Sequence, residues 1–317
     1  MSKIAITLGD PCSIGTEITR KALYELSVER KIDLSKFIII GNRNVFGEVP
    51  ENIEFIDIPS KYKFFFGKPS KESGEVAFNS VKKAIDLAQA GIIQGIVTAP
   101  ISKSAINLAG YNFSGHTEIF NKYLSSEGEA QMLFVTENFR VLLLTRHIPI
   151  AEVPTILTKN FIEEEIEKLH KSLQKLGIKF PKIALCGLNP HAGEEGLLGQ
   201  EEQKEFLPAI KSIRKKGIDI EGVFAADMLF AKAAKAYKKR GRQPYDCYAA
   251  TYHDQGLCAV KILDLEKTVN VTTGLDVLRT SPAHGTAFDI AGKNIASAES
   301  MKQAILFAYK NGLMKNY

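Results

Sequence analysis

Short apolar runs alternate with stretches of helical periodicity along almost the whole chain. The runs at 3–8, 37–40, 95–98, 132–135, 141–145, 182–186, 222–225, 247–252, 259–263 and 269–272 read as buried strands. Between them, residues 73–90 predict a helix that opens on Ser73 as N-cap and stops at Gly91. Residues 160–176 place Ile162, Ile166, Leu169, Leu173 and Leu176 on one face and a Glu/Lys-rich surface on the other. A last helix is predicted over 297–311, ended by Gly312. Strand and helix in alternation predict an α/β fold with a largely parallel sheet. There is no internal repeat, low-complexity tract or long Pro/Ser linker, so two domains would be joined by short crossings.

Composition narrows this picture without identifying a function. A chain of 317 residues, 45% hydrophobic and 24% charged, is long enough for one large or two medium domains with a sizeable core. Forty-one Lys and Arg against 36 acids give a net charge of +5, too mild to argue for nucleic acid. The dense basic run 238–242 reads as a solvated helix end. Cys12, Cys186, Cys247 and Cys258 show no CxxC spacing and read as reduced thiols. No signal peptide and no run of roughly 20 apolar residues is apparent, so a soluble, cytoplasmic protein with no membrane partner is expected.

The candidate chemistry lies in the histidines. Five of six stand among glycines, prolines or small polar residues: His116, His147, His191, His253 and His284. Only His170 sits inside a helical repeat. Three of the five, His147, His191 and His253, each closely follow a strand-like run, so all three can converge on one edge of a sheet. Ligands gather at such edges in α/β proteins. Imidazole is the commonest metal ligand, and three with an open position suit a catalytic divalent ion. Asp254 and Asp227 stand near as carboxylates that can orient the rings. Lys261, Asn270 and Arg279 follow, two cations and an amide suited to phosphate or carboxylate groups, in an apparent strand-and-loop setting. The small-residue run 281–292 allows close backbone approach to a flat ligand such as an adenine ring. Three weaker junctions remain open. Residues 7–17 fit either an anion-binding helix start or an ordinary turn. Lys103 is either an anion contact or simply exposed, and His116 with Thr117 either binds a ligand or caps a helix. No GxGxxG or Walker A pattern occurs.

Taken together, Gly115-His116-Thr117-Glu118, Asn189-Pro190-His191-Ala192-Gly193-Glu194, Tyr252-His253-Asp254-Gln255-Gly256-Leu257 and His284-Gly285-Thr286-Ala287 resemble the 4-hydroxythreonine-4-phosphate dehydrogenase family. These are NAD(P)-dependent enzymes of pyridoxal 5'-phosphate (vitamin B6) biosynthesis, and the resemblance spans nearly the whole chain. It implies two α/β domains around a central cleft, of the isocitrate/isopropylmalate dehydrogenase type. One domain would combine 1–127 with 273–317 on the cofactor side. The other, 128–272, would carry the metal ligands and the contact of a homodimer.

By the same resemblance, His147, His191 and His253 hold Zn2+, Mg2+ or Co2+, with the partner subunit contributing to the site. Substrate contacts fall to His116, Thr117, Lys261, Asn270 and Arg279, and catalytic roles to Lys261 and Asp254. NAD or NADP would lie on His284, Gly285, Thr286, Ala287 and Asp289, a loop similar to the adenosine loop of isocitrate dehydrogenases. The implied reaction is metal-assisted oxidation of 4-phosphohydroxy-L-threonine, followed by decarboxylation to 3-amino-2-oxopropyl phosphate. The chain departs from the family pattern at Ser13, Thr16, Arg146, Ala225-Ala226 and the long segment 231–246. A sister dehydrogenase for another phosphorylated hydroxy acid is the nearest alternative. A phosphate acyltransferase of related architecture is a second, and the three histidines speak against it.

Overall fold

The computed structural model describes residues 3–125 and 130–313. Its elements run β1 (Lys3–Thr7), α1 (Gly15–Val28), β2 (Phe37–Gly41), α2 (Arg43–Phe46), β3 (Glu54–Asp57), α3 (Lys71–Gln89), β4 (Ile93–Thr98), α4 (Lys103–Leu108) and α5 (His116–Leu124). Then come β5 (Gln131–Thr136), β6 (Phe139–Leu143), α6 (Val153–Ile156), α7 (Lys159–Lys175), β7 (Lys182–Cys186), α8 (Leu207–Lys215), β8 (Asp219–Phe224), α9 (Ala226–Lys238), β9 (Cys247–Ala250) and α10 (His253–Asp264). The chain closes with β10 (Val269–Thr273), β11 (Leu278–Pro282) and α11 (Glu299–Gly312). The α/β class read from the sequence is the class the structure has. No described helix is long and apolar enough to cross a membrane.

The chain divides into two compact units, Met1–Ala130 with Val269–Tyr317, and Gln131–Thr268. Of the boundaries expected from sequence, 127/128 lies outside the described residues, and 272/273 falls inside β10.

In the first unit the strands lie in the order β3-β2-β1-β4-β11-β10, parallel except for β10, which runs antiparallel to β11. Ile38, Ile39 and Ile40 are all buried, as a strand covered by helices on both faces requires. Helix α3 contributes Val81, Ala84, Ile85 and Ala88 to the core. Its N-cap is Ser70, three residues before the predicted Ser73. The Ser70 Oγ accepts from Ser73 N (3.1 Å) and the Ser73 Oγ accepts from Ser70 N (3.0 Å). The reciprocal cap lets the helix start one turn earlier, and Ser73 closes the box rather than opening the helix.

In the second unit the order is β5-β6-β9-β7-β8, with β6, β9, β7 and β8 parallel. Helix α7 buries Ile162, Ile166, Leu169 and Leu173 as its periodicity predicts. The apolar run 259–263 is not a strand but the second half of α10. Gly256, Leu257 and Val260 are buried at helical spacing while Ile262 is 83% exposed, so burial of one helix face overrides the strand preference of Val and Ile. The correction moves Lys261 from a strand onto an exposed helix surface.

Candidate functional site

Strands β6, β9 and β7 are neighbours and parallel, so their C-terminal ends share one edge of the second unit's sheet. His147 follows β6, His191 follows β7, and His253 opens α10 directly after β9. The rings of His147 and His253 lie 5.6 Å apart between centroids. With Arg146, Ile148, Tyr252 and Asp254 they line a cavity of about 560 Å³. Asp254 Oδ1 stands 2.6 Å from His253 Nδ1, fixing that ring through one nitrogen.

His191 is placed differently. It begins five consecutive residues, 191–195, with φ between +44° and +82°, a left-handed turn in which only Gly193 is free of steric cost. Its side chain is 72% exposed, with Nδ1 4.0 Å from Glu194 Oε2. Among the described residues, no three His, Cys, Asp or Glu groups stand close enough together to hold a metal ion. The donor chemistry therefore fits a divalent ion at two positions, His147 and His253, and the loop brings His191 to the same sheet edge without joining them. Asp227 is exposed in the first turn of α9. Lys261 sits in the last turn of α10, eight residues beyond His253, or about 12 Å along the axis.

In the first unit a cation is buried, Arg279. Its pairing opposite Thr272 and beside β4 buries the side chain to 2% exposure. Arg279 Nη2 and Nε donate to Thr98 Oγ1 (2.6 and 3.2 Å), and Nη1 donates to Thr272 Oγ1 (3.0 Å). The guanidinium carbon lies 5.8 Å from the Phe120 ring centre, and the His116 ring stacks on Phe120 at 6.2 Å. Burial lowers the Arg279 pKa to about 9, which Glu118 only partly offsets. Among the described residues no carboxylate comes within ion-pair distance of it. Burial and the Arg279 charge also hold His116 well below its ordinary pKa, so its imidazole is neutral at pH 7. His116 Nε2 and Asn270 Oδ1 are buried without hydrogen-bond partners. Thr117 follows His116 in the first turn of α5, and Lys103 is exposed at the start of α4.

The loop after β11 carries His284 to Asp289. His284 Nε2 is likewise buried and unpartnered, while Gly285 and Asp289 are exposed. Ile14 N donates to Thr286 O (3.2 Å), and Ala287 turns the chain with φ +42°. Farther on, Ala296 N donates to Glu17 Oε1 (2.8 Å), and Lys21 Nζ donates to the carbonyls of Asn294 and Ala296 (both 3.0 Å). Helix α1 thus ties the loop at both ends.

The N-terminal junction is a turn tightened by its own hydrogen bonds. Asp10 Oδ1 accepts from Cys12 N (2.8 Å), Asp10 O from Ser13 N (3.0 Å) and Ser13 Oγ from Gly15 N (3.0 Å). With Ile14 N donating to Thr286 O, four amides of the turn, those of Cys12, Ser13, Ile14 and Gly15, are engaged within the chain. Gly9, at φ +70°, packs so tightly that a Cβ would stand 2.1 Å from Pro100 O.

Sequence reasoning missed Thr98, Thr272 and Phe120 as the setting of Arg279. A lone threonine or phenylalanine on a strand or helix carries no signal until the strand neighbours are known.

Comparison with known proteins identifies the family. Over 96% of its length the chain is 38% identical to the 4-hydroxythreonine-4-phosphate dehydrogenase of Bacteroides thetaiotaomicron, covering 87% of that protein. It is also 38% identical to the D-threonate 4-phosphate dehydrogenase of Cupriavidus necator, over 95% of both chains. The crystal structure of 4-hydroxythreonine-4-phosphate dehydrogenase from Klebsiella pneumoniae superposes with a TM-score of 0.86 at 32% identity, covering 99% of this chain and 98% of the other. Residues 8–308 match the family described as pyridoxal phosphate biosynthetic protein PdxA. The chain belongs to the PdxA family and is one of its dehydrogenases.

Proposed function

We propose that the protein oxidises 4-phosphohydroxy-L-threonine at its 3-hydroxyl with NAD or NADP, and that the product decarboxylates to 3-amino-2-oxopropyl phosphate. The observation that carries this reading is Arg279, a buried cation with no carboxylate partner among the described residues, together with two buried atoms that lack hydrogen-bond partners, Asn270 Oδ1 on the same face of the β10–β11 pair and His116 Nε2 within reach of its charge. Such a set is short of one anion, and a phosphate supplies it. A neutral His116 can approach that phosphate without adding charge, and Thr117 adds a hydroxyl at the same helix start.

In the reaction, the C3–H bond breaks and its electron pair leaves as hydride to the nicotinamide ring, while the hydroxyl proton departs. The ketone formed is β to the carboxylate, so the C–CO2 bond cleaves with its electron pair passing into the carbonyl as an enolate, which takes up a proton at C2 to give the product ketone. Zn2+, Mg2+ or Co2+, held by His147, His191 and His253 in a homodimer whose partner contributes to the site, would supply Lewis acidity at the hydroxyl. Asp254 orients His253 for that role. Lys261, a helix length from His253, enters as a cation for the substrate's anionic groups. His284 to Asp289 would receive the adenosine part of the dinucleotide, on a loop that α1 holds in shape.

A second reading is D-threonate 4-phosphate, the same skeleton with a hydroxyl in place of the amine. Arg146 favours it, because a guanidinium lining the cavity of the histidine pair disfavours an ammonium group there. Measuring kcat/KM for both compounds with NAD and NADP separates the two. A clear preference for the amino compound is expected, and a preference for D-threonate 4-phosphate overturns the first reading in favour of the second.

A further inference from the structure

The three histidine-bearing segments are laced together by two side chains with no place in the proposed chemistry, Glu202 and Gln255. Glu202 is 1% exposed, yet it meets no cation among the described residues. Its carboxylate is spent on the chain leading to His191. Oε1 accepts from Leu188 N (2.9 Å) and Asn189 N (2.7 Å), and Oε2 accepts from Asn189 Nδ2 (2.9 Å). Gly193, at φ +82°, runs so close that a Cβ would lie 2.7 Å from Glu202 Oε2. A carboxylate buried this deeply is costly unless its acceptor sites are filled, and here they are filled by the loop that turns left-handed at His191.

Gln255 connects that loop to the other two. Its Nε2 donates to Gly187 O (2.8 Å), just before the loop, and its Oε1 accepts from Thr251 N (2.8 Å) and Thr251 Oγ1 (3.0 Å). Thr251 O in turn accepts from Thr145 Oγ1 (2.7 Å), two residues before His147. Gln255 itself lies two residues after His253, in the first turn of α10. One continuous chain of hydrogen bonds therefore runs from the His147 segment through Thr251 and Gln255 to the loop that Glu202 grips.

We propose that Glu202 and Gln255 are positioning residues: together they set the His191 loop, and its register against His147 and His253, for metal capture. The inference rests on the reading of His191 as a ligand. It is tested with Co2+ alone, titrated into the full-length protein and followed by its visible absorption, alongside hydrogen exchange at the Leu188 and Asn189 amides. Glu202→Ala and Gln255→Leu are expected to weaken Co2+ binding about 10- to 100-fold, the usual loss when groups orienting a ligand are removed. In Glu202→Ala the two amides also exchange faster while the cooperative melt is retained. Glu202→Gln, which keeps an acceptor for those amides, recovers most of the affinity.

His191→Ala separates the two ideas. Wild-type Co2+ binding in His191→Ala removes His191 as a ligand and the metal-capture role with it, whatever the amides show. Loss of binding in His191→Ala, with wild-type binding and wild-type amide protection in Glu202→Ala and Gln255→Leu, overturns the positioning role alone. Loss of the cooperative melt in Glu202→Gln overturns it too, since Glu202 would then serve global stability.

Discussion

Arg279 shows how a single residue can report a ligand. A guanidinium at 2% exposure, held among the described residues only by threonine hydroxyls and a ring face, is stabilised far less than one with a carboxylate partner. Replacing it with Met removes the charge but keeps much of the volume. Arg279→Met is therefore expected to fold normally and to lose about 100-fold or more in kcat/KM for a phosphorylated substrate, in line with roughly 2–5 kcal/mol for a buried charge contact. Steady-state kinetics together with a thermal melt check both halves of that statement. His116, beside it, makes a pH prediction. Its folded pKa lies well below the ordinary 6.5, so between the two values the unfolded chain binds the extra proton. Stability should then fall as pH drops below about 6.5, by up to about 1.4 kcal/mol per pH unit from this group. His116→Gln should flatten that part of a urea-denaturation profile, and an unchanged slope would show that His116 titrates normally.

At the scale of elements, helix α10 decides where His253 stands, and Gly256 decides where α10 stands. A Cβ on Gly256 would meet Leu143 Cδ2 at 2.5 Å and the side chains of Ala250 and Val141 at 3.0 Å, on three strand residues that cannot all retreat. Gly256→Ala should cost about 1–3 kcal/mol by overpacking and should weaken Co2+ binding by lifting His253 off the sheet edge. Urea unfolding and Co2+ titration measure the two effects. The same helix shows where sequence reading stops. Period-2 and period-3.6 signals are both weak in Ala259-Val260-Lys261-Ile262-Leu263, and only the burial of Leu257 and Val260 against the sheet decides for helix. Strand β11, Leu-Arg-Thr-Ser-Pro, gave no strand signal because three of its five buried positions, Arg279, Thr280 and Ser281, are polar. By contrast, Phe37–Gly41 and Lys182–Cys186 were legible at once, since buried parallel strands are continuous apolar runs. The sheet-edge placement of His147, His191 and His253 was also legible, from their position after such runs. The left-handed course of residues 191–195 was not, because the packing of Gly193 against Glu202, nine residues on, shows only in the folded chain.

At the scale of the whole molecule, the chemistry is divided between the two compact units. His116, Asn270, Arg279 and the His284 loop belong to the first, and His147, His191 and His253 to the second. The described hydrogen bonds that hold Arg279 come from Thr98 and Thr272, both of the first unit. Anion binding and metal-dependent turnover should therefore be separable. After exhaustive chelation the protein is expected to keep its Arg279-dependent affinity for inorganic phosphate, measured by calorimetry, while losing reduction of NAD or NADP. Added Co2+ should restore turnover without changing phosphate affinity. A phosphate acyltransferase, needing no such ion, would behave oppositely, so full turnover after chelation would remove the dehydrogenase mechanism proposed here. Loss of phosphate affinity on chelation would instead show that the histidines and Arg279 act on the same group. The phosphate would then have to be reassigned from the Arg279 wall to the metal.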